Sequence, residues 1–209
     1  MRYYPVFLNL EGKKCIVIGG GKVAERKVFA LLNADASVTV VSPELTERLA
    51  GLKRAGQIEH TQRRYQDGDL KGAFIVIAAT YDMDVNRKVS GDAGNIPVNV
   101  VDVPALCTFT VPSVIKRGKL TIAVSTSGAS PALSRSIREE LEDLYTEEVG
   151  GLLQHLARIR RTLTESEIPL EKRADILKSL GSREVLQILR AEGPQGALRH
   201  IQAMLNHSG

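Results

Sequence analysis

The hydrophobic pattern of the first half of the chain switches period repeatedly. KKCIVIGG (13–20) reads as a buried strand running into glycines, whereas KVAERKVFALLNA (22–34) has Val23, Val28, Leu31 and Leu32 at helical spacing. SVTVVSP (37–43) is β-branched and stops at Pro43. ELTERLAGLKRAG (44–56) is helical again and closes on Gly56, a good C-cap residue. A short strand near QIEHTQRRY follows, then the apolar run AFIVIAAT (73–80), a short helix at DVNRKVSGDAG (84–94) and a strand at PVNVVD (97–102). Strands this uniformly apolar are covered on both faces, and the intervening helices supply the cover. The pattern therefore predicts an α/β, Rossmann-like parallel-sheet domain over residues 1–112.

Beyond that point the pattern changes. TFTVPSVIKRGKLTIAVST (108–126) reads as two extended segments joined by a turn at Arg117-Gly118. SPALSRSIREELEDLYTEEV (130–149) reads as a helix, with Ser130 as N-cap, Pro131 in the first position, and Arg135 and Arg138 spaced against Glu139 and Glu142. From Gly150 onward all is helical: LLQHLARIRRTL, LEKRADILKSL, SREVLQILRAEG and ALRHIQAMLN. Gly150-Gly151 is the expected hinge. It separates a small α+β segment at 113–149 from a C-terminal helical domain at 150–209.

Composition narrows the partners. With 209 residues, 43% of them hydrophobic, the chain can bury one full core and a smaller appendage. The net charge of +4 is spread out, and its densest groups, KRGK (116–119) and RIRR (158–161), lack aromatic interleaving. That argues against nucleic acid and suits a polyanionic small molecule, or solubility alone. No apolar run approaches the roughly 20 residues that span a bilayer. MRYYPVFLNLEGKKC lacks a signal-peptide core, so neither membrane nor export is expected and a cytoplasmic location is. Cys15 and Cys107 sit inside apolar runs as reduced core residues, not a disulfide. His60, His155, His200 and His207 cluster neither with one another nor with the cysteines, so no bound metal is expected.

Four stretches bring candidate chemistry. Gly19-Gly20-Gly21-Lys22-Val23-Ala24 is a G-x-G-x-x-A between a strand and a helix. Gly19 permits a tight turn, Gly21 lets a pyrophosphate approach, Ala24 allows close packing, and the helix N-terminus offers free N–H groups. The acid usual at the end of the second strand is displaced: Ser42 holds that point and Glu44 follows. Either Glu44 or Ser42 with backbone groups can meet ribose hydroxyls, and Glu44 equally fits a first-turn helix acid. No arginine stands nearer than Arg48 to greet a 2′-phosphate, which favours NAD over NADP. In AATYDMDVN, Thr80 and Asp82 lie beside the cofactor position, with helix capping the better reading of Asp82 and Asp84. Asp102 falls at the C-terminal sheet edge before Pro104, as a turn residue or as a partly desolvated carboxylate suited to proton transfer. Lastly, Ser125, Thr126, Ser127 and Ser130 surround Gly128 before a helix carrying Arg135 and Arg138. That is an anion-friendly loop or simply a capped helix with surface ion pairs.

Taken in order, YPVFLNLEGKKCIVIGGGKVAERKV, AATYDMDVN, NVVDVPALCTFTVPS and AVSTSGASPALSRSIREELE resemble the precorrin-2 dehydrogenase / sirohydrochlorin ferrochelatase family, the sirohaem-synthase N-terminal type. The resemblance runs from Tyr4 to about Glu142. It implies NAD-dependent oxidation of precorrin-2 to sirohydrochlorin in sirohaem or cobalamin biosynthesis, with Fe²⁺ insertion in some members, and a homodimer joined through the segment after residue 113. Cofactor contacts of the family fall here on Lys22, Val23, Pro43 and Glu44, and its proposed base falls on Asp102. A tetrapyrrole substrate with many acetate and propionate groups fits the basic balance and a substrate-binding role for Ser125, Thr126, Ser127 and Arg135. Thr126 stands where some relatives carry a serine reported as phosphorylated. The chain ends before the methyltransferase domain of the larger members would begin, so methylation is not expected of it. Two further readings stay open: a dehydrogenase of another small metabolite, and an NAD-binding redox sensor or interaction protein without turnover.

Overall fold

A computed structural model describes residues 3–208, except the side chains of 207 and 208, so the His207 imidazole lies outside the described residues. The chain divides into two compact units, the first ending at Val111 and the second starting at Pro112. Among the described residues no helix is long and apolar enough to cross a membrane.

The first unit alternates strand and helix: β1 (Lys14–Ile18), α1 (Lys22–Leu32), β2 (Ser37–Val41), α2 (Glu47–Arg54), β3 (Ile58–Thr61), β4 (Ile75–Ala78), α3 (Met83–Asp92) and β5 (Val98–Val100). The strands lie in the order β3-β2-β1-β4-β5, and every pairing is parallel. The direction of winding reverses between β1 and β4, where a crevice opens at the carboxyl ends in sheets of this order. Alternation along β1 feeds two cores. Cys15 and Val17 pack with Ala24, Val28, Leu31 and Leu49 on one face, and Ile16 and Ile18 pack with Val89 and Ala93 on the other. That double burial explains the unbroken apolar runs.

Each run is longer than its strand. The run 13–20 yields β1 at Lys14–Ile18, 73–80 yields β4 at Ile75–Ala78, and 97–102 yields β5 at Val98–Val100. The residues left over, Gly19-Gly20, Ala79-Thr80 and Val101-Asp102, leave the ladders to form loops at the carboxyl edge.

The second unit opens with the antiparallel hairpin β6 (Ser113–Arg117) and β7 (Leu120–Val124) and continues through α4 (Pro131–Leu144), α5 (Glu147–Glu165), α6 (Leu170–Leu180) and α7 (Arg183–Ser208). The hairpin starts five residues later than the pattern suggested. Thr108 is held by β5 instead, its N–H donating to the Val98 carbonyl at 2.8 Å and its hydroxyl accepting from Val98 N–H at 2.8 Å. Ser130 caps α4 by accepting from Leu133 N–H at 3.2 Å, and Pro131 follows in the first turn. Arg135–Glu139 and Arg138–Glu142 pair along α4 as their spacing predicts. Within α7, Gly193 (φ 71°) and Pro194 separate the two helical stretches expected there.

The expected hinge is displaced. Gly150 and Gly151 lie inside α5, and the helical run breaks earlier, at Tyr145 and Thr146. Tyr145 leaves helical geometry (φ −116°, ψ 83°), and its carbonyl accepts from Arg117 Nε at 3.0 Å. A carbonyl freed at a helix end needs a donor, and an arginine from the hairpin supplies one.

Candidate cofactor site

Three glycines connect β1 to α1, and each meets different surroundings. Gly19 has φ +121°, and a Cβ there would stand 2.5 Å from the Ala79 carbonyl oxygen of the neighbouring loop. At Gly20 a Cβ would collide with the Glu44 carbonyl and lie 2.6 Å from the Ser42 hydroxyl, so the loop after β2 crosses directly over it. Gly21 has open space around it and is the N-cap of α1, with no side-chain cap. Uncapped N–H groups of the first turn, an absent Cβ and the positive end of the helix dipole together fit a pyrophosphate. Lys22 is exposed beside this turn, Val23 is half-buried, and Ala24 is fully buried against the sheet.

A charged network ties the loop after β2 to the same helix. Glu25, almost fully buried, accepts from the Thr46 hydroxyl at 2.5 Å and from Arg48 Nη1 at 3.1 Å, and Lys22 Nζ lies 3.7 Å away. The Thr46 hydrogen bond, with the Lys22 and Arg48 charges, holds the Glu25 carboxyl below the usual glutamate range. That tie strengthens the fold above the usual range and is lost as the pH falls through the lowered value. Arg48 also lies over the Phe29 ring, 4.5 Å from its centroid. Ser42 is buried; its hydroxyl donates to the Glu44 carbonyl at 2.7 Å, and His60 Nε2–H donates to its carbonyl at 2.9 Å. Ser42 therefore shapes the loop, while Pro43 and the Glu44 side chain are exposed on it. Sequence reasoning missed Glu25. Its position between Ala24 and Val28, on the buried stripe, was the available signal.

At the end of β4, the Thr80 hydroxyl sits 2.9 Å from Asn86 Oδ1, and Asn86 Nδ2 donates to the Thr80 carbonyl at 3.0 Å. Asp82 caps α3 by accepting from Asp84 and Val85 N–H groups, as its sequence context suggested.

Asp102 stands two residues past β5, at the carboxyl edge, in the left-handed region (φ 61°). Aspartate is among the few non-glycine residues that visit this region readily. Its carboxylate is exposed, not partly desolvated as the sequence suggested, because the turn carries it outward. The turn is held from beneath by Cys107. Val100 N–H donates to Cys107 Sγ at 3.2 Å, and the thiol faces the Val100 and Val103 carbonyls at 3.2 and 3.3 Å. Val101 N–H donates to the Ala78 carbonyl at 2.9 Å, which fixes the start of the turn to β4. Both cysteines are free, and burial pushes the Cys15 thiol up to about 11, so it stays protonated.

Gly19, Gly21, Ser42, Pro43, Glu44, Thr80 and Asp102 thus occupy the loops at one edge of the sheet, and Lys22, Val23 and Ala24 form the first turn of α1 beside them. Ser125, Thr126, Ser127 and Arg135 belong to the second unit. There the Thr126 hydroxyl donates to the Ser130 carbonyl at 3.0 Å and accepts from Ser130 N–H at 3.2 Å. Ser125 Oγ accepts from Ser127 N–H at 3.1 Å, Ser127 is left-handed (φ 54°), and Arg135 is exposed and paired with Glu139. Among the described residues no group of three or more His, Cys, Asp and Glu side chains is gathered to hold a metal ion.

The fold and the glycine turn define an NAD(P)-binding α/β protein. Residues 6–113 match an NAD(P)-binding family, and residues 117–144 match the family of sirohaem biosynthesis protein central regions. The chain is 41% identical over 216 residues to the siroheme synthase of Methylobacillus flagellatus, covering 100% of this chain and 45% of that one. It is 48% identical over 154 residues to the siroheme synthase of Thioalkalivibrio sulfidiphilus, covering 73% of this chain and 32% of that one. The chain therefore spans less than half the length of these relatives. A solved structure of SirC, a precorrin-2 dehydrogenase, superposes with a TM-score of 0.82 at 27% identity, covering 96% of this chain and 100% of SirC. The chain belongs to the siroheme synthase N-terminal family, the precorrin-2 dehydrogenase/ferrochelatase type.

Proposed function

We propose that the chain oxidises precorrin-2 to sirohydrochlorin with NAD. Asp102 carries the reading: a carboxylate held in a left-handed turn at the carboxyl edge of a dinucleotide-binding sheet. In the reaction a ring carbon loses a hydride and a neighbouring position loses a proton. NAD, when bound, supplies the hydride acceptor. Gly19, Gly21, Lys22, Val23 and Ala24 seat its pyrophosphate, Pro43, Glu44 and Thr80 line the rest of its path, and the buried Ser42 shapes the loop that carries Pro43 and Glu44. Asp102 takes the proton, and positioning the macrocycle supplies most of the rate.

Two observations support NAD over NADP. The exposed Glu44 carboxylate disfavours a 2′-phosphate, and Arg48 is already committed to Glu25 and Phe29. Ser125, Thr126, Ser127 and Arg135 serve the peripheral carboxylates of the tetrapyrrole. Residues 113–149 form the dimerisation segment and 150–209 the helical tail of a cytoplasmic homodimer. Val114, Leu133 and Leu144 expose apolar surface in this unit, which favours a second copy. Insertion of Fe²⁺, as substrate, into sirohydrochlorin releases two pyrrole protons, which the same exposed Asp102 carboxylate would accept one at a time, passing each to solvent.

The test is an anaerobic assay of wild type and Asp102→Asn with precorrin-2 and NAD, followed by a separate addition of Fe²⁺ to sirohydrochlorin. Wild type is expected to turn over, with Asp102→Asn slower by about 100-fold or more at intact NAD binding. Full turnover by the mutant reduces Asp102 to a turn residue. A wild type that binds NAD and turns over nothing favours the sensor reading.

A further inference from the structure

Helix α1 carries a cation that the cofactor site does not use. Lys27 comes three residues after Ala24 and just before Val28, so it flanks the buried stripe of α1 and is itself half-buried. Ala24, Val28 and Leu31 belong to the buried cluster against which Val101 and Phe109, on either side of the Asp102 turn, also pack. The Lys27 ammonium accordingly lies in the field of the Asp102 carboxylate and of Cys107, with the exposed Arg26 beside it.

Among the described residues, no side chain or carbonyl closes a hydrogen bond or an ion pair on Lys27. Other cations of this unit behave differently: Arg48 has Glu25, Arg63 has Asp69 at 2.6 Å, and Lys88 has Asp67 at 2.6 Å. Burial pushes the Lys27 ammonium below the usual lysine range, the neighbouring Arg26 charge adds to this, and Asp102 and Cys107 only partly offset it. A half-buried charge without a partner is unfavourable, and an anion arriving beside it removes the penalty. The turn carrying Asp102 is meanwhile tied to Cys107 and to the Ala78 carbonyl of β4, so its backbone is in place at the sheet edge before any ligand arrives.

We propose that Lys27 anchors the substrate, its ammonium taking one peripheral acetate or propionate of the tetrapyrrole so that the carbon losing its proton faces Asp102. This rests on the dehydrogenase reading above. Lys27 is then a specificity-determining residue, and Asp102 remains the group that takes the proton. A lone, partly desolvated ammonium favours a carboxylate far more than the exposed Lys22, which already has Glu25.

The experiment compares wild type, Lys27→Met and Lys27→Arg. It measures KM and kcat for precorrin-2 at saturating NAD, Kd for sirohydrochlorin by absorbance titration, Kd for NAD, and the melting temperature without ligands. Lys27→Met is expected to raise KM and the sirohydrochlorin Kd by about tenfold or more, with kcat changed by less than about threefold. Its NAD affinity stays as in wild type and its melting temperature does not fall, since an unpartnered charge is removed. Lys27→Arg restores most of the binding. Wild-type KM and Kd in Lys27→Met overturn the proposal. A fall in kcat at unchanged KM overturns it too, making Lys27 a charge that acts through Asp102, and lost NAD affinity makes it a brace of the cofactor loop. A wild type that turns over no precorrin-2 is a separate result, which removes the dehydrogenase reading itself.

Discussion

Adjacent glycines occur twice in this chain, at Gly19-Gly20-Gly21 and at Gly150-Gly151, and in one dimension they look alike. In the first run the backbone leaves a strand, turns and starts a helix; in the second it stays helical throughout. The difference lies in what approaches the missing Cβ. At Gly20 the loop after β2 passes over, with the Glu44 carbonyl and Ser42 hydroxyl occupying the place of a side chain. At Gly150 the hairpin turn passes over, with the Arg117 carbonyl oxygen at 2.9 Å and Gly118 N at 3.1 Å. Both glycines permit backbone to cross backbone. One crossing lays the loop after β2 over the turn between β1 and α1, and the other packs a hairpin on a helix.

The largest expected effect comes from breaking the first crossing. In Gly20→Val the branched side chain meets a backbone carbonyl that cannot swing aside, so the loop after β2 must shift. Overpacking of this kind costs roughly 3 kcal/mol or more at a backbone contact. Urea unfolding is expected to show that loss, and NAD titration to show binding abolished, because Ser42, Glu44 and the first turn of α1 move together. A Gly20→Val protein that binds NAD as wild type does would show that the crossing is incidental to the site.

The second crossing sets two effects of opposite sign against each other at Gly150. Alanine in a helix interior is favoured over glycine by about 0.5–1 kcal/mol. Its Cβ at Gly150 meets the Arg117 carbonyl at 2.9 Å, and relieving that contact means moving the hairpin, at about 1–3 kcal/mol. The clash wins, and Gly150→Ala is expected to be less stable by about 1–2 kcal/mol, with NAD affinity untouched. A stabilised Gly150→Ala would mean that the hairpin yields freely.

What the sequence made legible follows from the same distinction. Periodicity records which residues face a core, so the parallel sheet with its helices and the α6 and α7 stretches could be read, as could the caps at Asp82, Ser130 and Gly56. The glycine turn was legible because its spacing is dictated by a strand–helix junction. Contacts between segments distant in sequence left no such trace. The break at Tyr145 depends on Arg117, 28 residues earlier, while the apolar spacing runs on through LEDLYTEEVGGLL without interruption. Ser42 looks like a cofactor contact in sequence, and its hydroxyl is spent on the Glu44 carbonyl. Asp102 was legible as an edge carboxylate, but its left-handed turn and the Cys107 beneath it were not, since alternation carries no information on φ. Lys27 reads as an ordinary helix-surface charge until Val101 and Phe109 are seen to join the same core cluster as the buried residues of α1.

The smallest effect sharpens the comparison most, because it changes sign one residue further on. Gly151 sits in the same helix as Gly150 but is exposed, and a Cβ built there has nothing within 4 Å. No crossing needs this glycine, so only helix propensity remains to act. Gly151→Ala is expected to stabilise the protein by about 0.5–1 kcal/mol, through the entropy an alanine removes from the unfolded chain. Urea midpoints of the two single variants, measured side by side, should therefore move in opposite directions. If both rise, the Arg117–Gly150 approach imposes no constraint. If both fall, flexibility at the pair itself is required, and the expected hinge regains its claim despite the continuous helix.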